Sequence, residues 1–266
     1  KKKLYNGFRE IYYLNLSDKN SLKNYVPNLF AEEMGILNSF SRLVELYLNN
    51  EYLGVYSEVY STDELFLRKN KIMPVAIFKF SMDIGWYFRS YYHAFFNPFL
   101  WDRQSKNNMD ENDNRSRIKS FFSDLNQGKE NLLDLIDIKE WATYSAYRLI
   151  SGDYHSNGLN NLKWIEDNHK GKLSQIIWDP VINLEKYDLS FFNKCETELS
   201  CKLNSHPVFR YQKLKEVHKY IFEEKIYDSV KSKIKSEEKK ILNSLSLDKY
   251  RLEFENDLSV YLQKFF

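Results

Sequence analysis

Between Ser151 and Asn161 the chain runs Ser-Gly-Asp-Tyr-His-Ser-Asn-Gly-Leu-Asn-Asn, a stretch dense in donors and acceptors. Asp153 and His155 can hold or move a proton, and Asn160 and Asn161 offer amide oxygens. Further along, the apolar run Ile176-Ile177-Trp178 ends at Asp179-Pro180, which sets a carboxylate at the exit of a buried strand. Such a carboxylate is destabilising unless a cation or a donor meets it. A helix, a polar loop with Asp and Asn, a hairpin and a terminal Asp form the layout that phosphoryl transfer uses in kinase-like folds. There the loop Asp orients the attacking hydroxyl, while the loop Asn and the second Asp hold metal against the phosphates. Oxygen ligands of this kind suit Mg²⁺ or Mn²⁺. Each residue also has a plain structural reading, because Asp and Asn populate loops by bonding the local backbone. Asp179 is then a turn former before Pro180, and His155 a hydrogen-bonded loop histidine. A metal-dependent hydrolase built on Asp153, His155 and Asp179 has suitable ligand types without a recognisable spacing. The patterns G-x-x-x-x-G-K-S/T, G-x-S-x-G and H-E-x-x-H do not occur in the sequence.

The elements that would position these residues are legible from periodicity. Residues 8–16 are aromatic and partly alternating, which predicts a strand. Ser21 to Gly35 predicts an amphipathic helix, with Gly35 as its stop and Pro27 as a break or restart. Alternating runs at 42–48 and 52–60 around Asn49-Asn50 predict a β-hairpin, and Ile72 to Phe80 a further strand. An aromatic stretch from Trp86 to Trp101 leads into residues 102–117, which are almost free of apolar side chains and predict an exposed loop. Asp137, three residues before Glu140, predicts the start of a buried helix reaching Ile150. Residues 161–165 and 173–178 predict a second hairpin with Gly171 near its turn, and the chain after Pro207 predicts two or three helices. The expected fold class is α+β, one domain over residues 1–266, β-rich over about 1–100 and helical over about 118–266.

Composition narrows the classes. With 266 residues, 43% hydrophobic and 29% charged, the chain can bury a core. A net charge of +2, from 39 basic against 37 acidic residues, implies no field for a polyanion, so nucleic acid is not an expected partner. No apolar run approaches the length of a membrane span. Lys1-Lys2-Lys3 is followed by Leu4-Tyr5-Asn6-Gly7 with no apolar h-region, which is not a signal-peptide pattern. Cys195 and Cys201 permit a local disulfide in an exported protein, and a zinc site would need more soft ligands nearby.

Four stretches resemble the spore-coat CotH kinase family, atypical kinases related to secretory-pathway kinases. Asp18 with Ser21-Leu22 leading to Leu29-Phe30-Ala31-Glu32-Glu33-Met34-Gly35 is similar to the family's first helix. Val44-Glu45-Leu46-Tyr47-Leu48-Asn49-Asn50-Glu51-Tyr52-Leu53-Gly54-Val55-Tyr56 is similar to its hairpin and is the most specific of the four. Gly152-Asp153-Tyr154-His155 through Asn160-Asn161 is the third, and Ile177-Trp178-Asp179 the fourth. Pro207-Val208-Phe209-Arg210 and the helices after it extend the likeness over nearly the whole chain. The resemblance implies an atypical protein-kinase-like fold and ATP-dependent, Mg²⁺- or Mn²⁺-dependent transfer to Ser/Thr of a protein substrate, such as a coat or surface protein. It implies a place at the spore coat, at the cell surface or outside the cell. Asp153 takes the catalytic-loop role with His155 beside it, Asn160 and Asn161 assist, and Asp179 with Asn161 binds metal. Lys79, in Ile77-Phe78-Lys79, is the implied phosphate-pairing lysine, and Arg9 is a further candidate for clamping phosphate. The family usually carries Glu where this chain has Tyr60, with Glu58 the nearest acid on the same strand face. It also commonly shows Trp-Asp-x-Asp, where this chain has Val181. These departures favour a second reading, a catalytically degenerate scaffold or coat or surface binding protein, whereas Asp153, Asn161 and Asp179 favour the enzyme.

Overall fold

The computed structural model describes residues 4–15, 20–73, 75–80, 95, 97–104, 116–127, 133–156, 161–167, 170–182 and 197–247. Among these residues there are seven α-helices and seven strands in two antiparallel sheets, a mixed α+β architecture. The first sheet joins β1 (Ile11–Asn15), β2 (Ser41–Leu48) and β3 (Glu51–Tyr60) in the order β1-β3-β2. The second joins β4 (Ile77–Phe80), β5 (Trp101–Arg103), β6 (Lys163–Asp167) and β7 (Lys172–Ile176) in the order β5-β4-β6-β7. The helices are α1 (Asn20–Glu33), α2 (Glu64–Lys69), α3 (Ser116–Asn126), α4 (Ile138–Ser151), α5 (Glu198–Ser205), α6 (Pro207–His218) and α7 (Ile226–Ser246). No helix of the described residues is long and apolar enough to cross a membrane.

The hairpin of β2 and β3 forms because Asn49 and Asn50 both accept positive φ, 51° and 66°. That pair of values is the type I′ turn, whose twist matches the strands it joins. Past the turn the register shifts between Leu46 and Tyr47, and Gly54, at φ 123°, stands opposite Leu46. Few side chains tolerate that backbone angle, so Gly54→Val should lower stability by about 1–3 kcal/mol. A denaturant melt measures the loss.

Three expected elements come out differently. Helix α1 runs through Pro27 instead of breaking there. A mid-helix proline costs roughly 3 kcal/mol, and here Val26, Leu29, Phe30 and Ala31 are buried in one cluster with Tyr147, Ile150 and Val230 and hold the helix together. The strand expected from Ile72 begins only at Ile77. Of the exposed loop expected over residues 102–117, Asp102 and Arg103 instead close β5 against β4 and Ser116 and Arg117 open α3; residues 105–115 lie outside the described set. Helix α5 was not foreseen, and its signal is the capping pair Thr197 and Ser200.

The four-stranded sheet divides the core. On one face Phe78, Phe80 and Trp164 join Trp101, Phe95 and Trp141 in the largest apolar cluster. On the other face Ile77, Ile165 and Ile176 pack with Phe8, Tyr60 and Phe66, next to the three-stranded sheet. Strand alternation therefore sends Lys79 and Lys163 to this second face.

Candidate active site

Helix α4 delivers the polar loop. Asp137 caps its start by accepting from the Glu140 N–H at 3.1 Å, and Gly152 ends it in the left-handed region at φ 69°. Asp153 follows, wholly buried. Its Oδ1 accepts from the backbone N–H groups of His155 (3.0 Å), Ser156 (3.1 Å) and Val181 (3.1 Å), and its Oδ2 from the Ser156 hydroxyl. Four donors thus satisfy one buried carboxylate. The Asp153 charge, after burial, helps push the Tyr147 hydroxyl well above its usual range. Asp153 thus ties the loop to the chain beyond β7, and Tyr154 N–H completes the tie by donating to the Val181 carbonyl at 3.2 Å.

Asp179 occupies the open side. It adopts φ 49°, a left-handed conformation that Asp tolerates better than most residues. Asn24 of α1 fixes the segment by donating to Asp179 Oδ1 at 3.0 Å and to the Pro180 carbonyl at 2.9 Å. His155 Nδ1 lies 2.9 Å from the Asp179 carbonyl and 3.5 Å from its Oδ2, both side chains being 42% exposed. Asn161 Nδ2 stands 2.9 Å from the same His155 Nδ1 and donates to the His155 carbonyl at 3.3 Å. A single ring nitrogen can donate to Asp179 or accept from Asn161, not both at once. Burial raises the Asp179 carboxyl above its ordinary range, Asp153 adds to that, and His155, Lys79 and Lys163 oppose it.

Two lysines complete the cluster. Lys79 of β4 and Lys163 of β6 are register partners, directly opposite across the ladder. Like charges so placed repel. Lys163 is 4% exposed; its ammonium donates to Thr62 Oγ1 at 2.7 Å and sits 3.5 Å over the Trp178 ring. Tyr12 of β1 meets the same ring edge-on at 5.9 Å. Burial first, then the Lys79 charge, pushes the Lys163 ammonium down to about 7, against the pull of Asp179.

Asp153, His155, Asn161, Asp179 and Lys79 are thus brought to one region between the sheets. Arg9 is paired with Glu64 at the start of α2, two residues from the Thr62 that accepts from Lys163. Asn160 lies outside the described residues, as does Cys195, so the proposed disulfide partner of Cys201 does too. Glu58 and Tyr60 share a strand face as alternation requires: Glu58 bonds the Tyr60 hydroxyl and pairs with Arg42 at 2.7 Å. Lys163 and Asn24 are the residues that sequence reasoning missed. A lysine between Asn161-Leu162 and Trp164-Ile165 was the available signal, since charge in a strand buried along its whole length needs a partner.

Among the described residues no group of three His, Cys, Asp or Glu side chains could cage a metal ion. One accessible carboxylate, Asp179, with an amide nearby, suits Mg²⁺ that arrives with phosphate oxygens rather than a resident ion. The model of the family described as CotH kinase protein matches residues 1–259. A search of the curated proteins finds no match.

Proposed function

The chain belongs to the CotH kinase protein family, and from that premise we propose that it transfers the terminal phosphate of ATP, with Mg²⁺ or Mn²⁺, to Ser or Thr of a protein substrate, within a protein-kinase-like fold. The observation that carries the reading is the lysine pair. Two ammonium groups opposed across a ladder, one buried, are costly alone and favourable once a polyphosphate lies against them. Lys79 and Lys163 then clamp the phosphates, a task for which the sequence offers no Gly-rich loop. Asp179, with Asn161 beside its His155 partner, would hold the metal, which supplies charge neutralisation at the transferring group. His155, 42% exposed beside Asp179, would take the proton of the acceptor hydroxyl. Asp153 acts through the others as a positioning residue, its carboxylate committed to the loop and to Val181. Transfer to a coat or surface protein, at the spore coat or cell surface, is the setting that the family suggests.

The test is a melt with and without nucleotide. Ligand at a hundred times its dissociation constant adds about 2.7 kcal/mol, so Mg²⁺ with ATP should raise the melting temperature by roughly 5–10 °C. ATP with a chelator should do much less. Labelled γ-phosphate should then appear on Ser or Thr of an added protein. The saturated Asp153 carboxylate favours the rival reading, a degenerate scaffold, and nucleotide binding without transfer would select it.

A further inference from the structure

A cavity of about 430 Å³ lies between the segment that leaves α1, the first turns of α4 and the residues that follow α6. Gln175 of β7 lines it on the sheet side and is the register partner of Trp164, whereas Lys163, next to Trp164 in β6, points to the opposite face. The cavity is therefore separate from the lysine pair.

Much of its wall is apolar. Trp141, Tyr144 and Tyr220 are buried, and Ile36, Leu37 and Ile72 are half-buried, so these three present apolar surface that water reaches. The polar atoms of the aromatic residues are already engaged: Trp141 Nε1 donates to the Leu173 carbonyl at 2.8 Å, the Tyr220 hydroxyl donates to the Met34 carbonyl at 3.1 Å, and the Tyr144 hydroxyl lies 3.3 Å from Ser156 Oγ. The charged residues of the lining, Asp137, Lys139, Glu140, Lys170 and Lys219, all reach solvent and mark the mouth. Most of them are committed. Lys170 pairs with Glu140 at 3.1 Å, Lys219 pairs with Glu224 at 3.0 Å, and Asp137 caps α4. Lys139 is exposed and makes no ion pair among the described residues. It stands in the first turn of α4, whose positive end adds to its attraction for an anion.

We propose that this cavity binds a small organic monoanion, an apolar ring or chain bearing one carboxylate, with its body against Ile36, Leu37 and Ile72 and its carboxylate at Lys139. The volume is in the range of small-molecule sites. Burial of the apolar body supplies most of the affinity. The ammonium at the mouth, where the other lysines already have partners, sets the sign of the charge preferred.

Naphthylacetate, naphthylacetamide and naphthylethylamine test the proposal on the full chain, because they share an apolar body and carry a negative, no and a positive charge. Calorimetry at low salt should show the acetate binding about fivefold more tightly than the amide, the scale of one partly solvated charge contact, and the amine more weakly than the amide. Added salt should narrow the gap. Lys139→Met keeps the apolar stem and helix preference of the lysine, and should bring the acetate down to the affinity of the amide while leaving the amide unchanged. Ile72→Trp, which fills the cavity from a half-buried position, should abolish binding of all three. Lys139→Met alters only an exposed side chain and carries the test if Ile72→Trp does not fold. Absence of acetate binding, equal affinity for acetate and amide, a preference that survives Lys139→Met, or undiminished binding by a folded Ile72→Trp would overturn the proposal. None of these readings involves nucleotide, so they succeed or fail independently of phosphate transfer.

Discussion

Asp179→Asn should reduce phosphate transfer by about three orders of magnitude, the scale on which a lost charge contact at a transferring phosphoryl group is felt. Asn is the informative substitution because it keeps the shape, accepts the left-handed backbone at φ 49°, and removes only the charge. Stability should move the other way. Burial holds the Asp179 carboxyl above its ordinary value of 3.8, so the native state binds more protons than the unfolded chain above that value. Stability of the parent therefore falls as pH rises from about 4 through the raised native value. The Asn variant lacks this loss and should melt no lower than the parent at neutral pH. Radiolabel transfer and thermal melts measure the two effects, and transfer within tenfold of the parent would remove Asp179 from the metal site.

The second large effect belongs to Lys163→Met. The native Lys163 ammonium is pushed from 10.5 down to about 7, so between these values the unfolded chain binds more protons than the native one. Parent stability then rises with pH across that window, by on the order of 4–5 kcal/mol for a shift of this size. Lys163→Met should remove most of the rise. A shallower one should persist from Lys213, which burial lowers to about 8. The same variant should bind Mg²⁺ with ATP at least tenfold more weakly, since a phosphate contact to a buried cation is worth more than about 1.4 kcal/mol. Urea melts between pH 6 and 10, together with nucleotide titration, decide the matter. An unchanged pH slope, or full nucleotide affinity, would deny Lys163 its role.

Local signals in the chain were strong where geometry is local. Asn49-Asn50 gave away the first hairpin, Gly171 the second, and the Asp137–Glu140 spacing the start of α4, because turns and caps depend on residues within reach of each other. Asp153, His155 and Asp179 stood out as polar groups beside apolar runs. What stayed hidden depends on pairing between distant segments. That β4 lies beside β6, setting Lys79 against Lys163, follows from no periodicity in either strand. Asn24 carries no signal of its own in the helical periodicity, and only the packing of α1 brings it to Pro180. Pro27 misled for a related reason, since burial of its neighbours outweighs a local preference.

The order β5-β4-β6-β7 also governs when the site can exist during folding. Both hairpins close short loops and can form early. Pairing of β4 with β6 must close a long stretch of chain, including α3 and α4, before any contact rewards it, which places it among the slow, non-local steps. The repulsion between Lys79 and Lys163 arises only at that step. Its burden falls on the last docking of preformed pieces rather than on the nucleus, so an anion captured there acts chiefly by slowing unfolding.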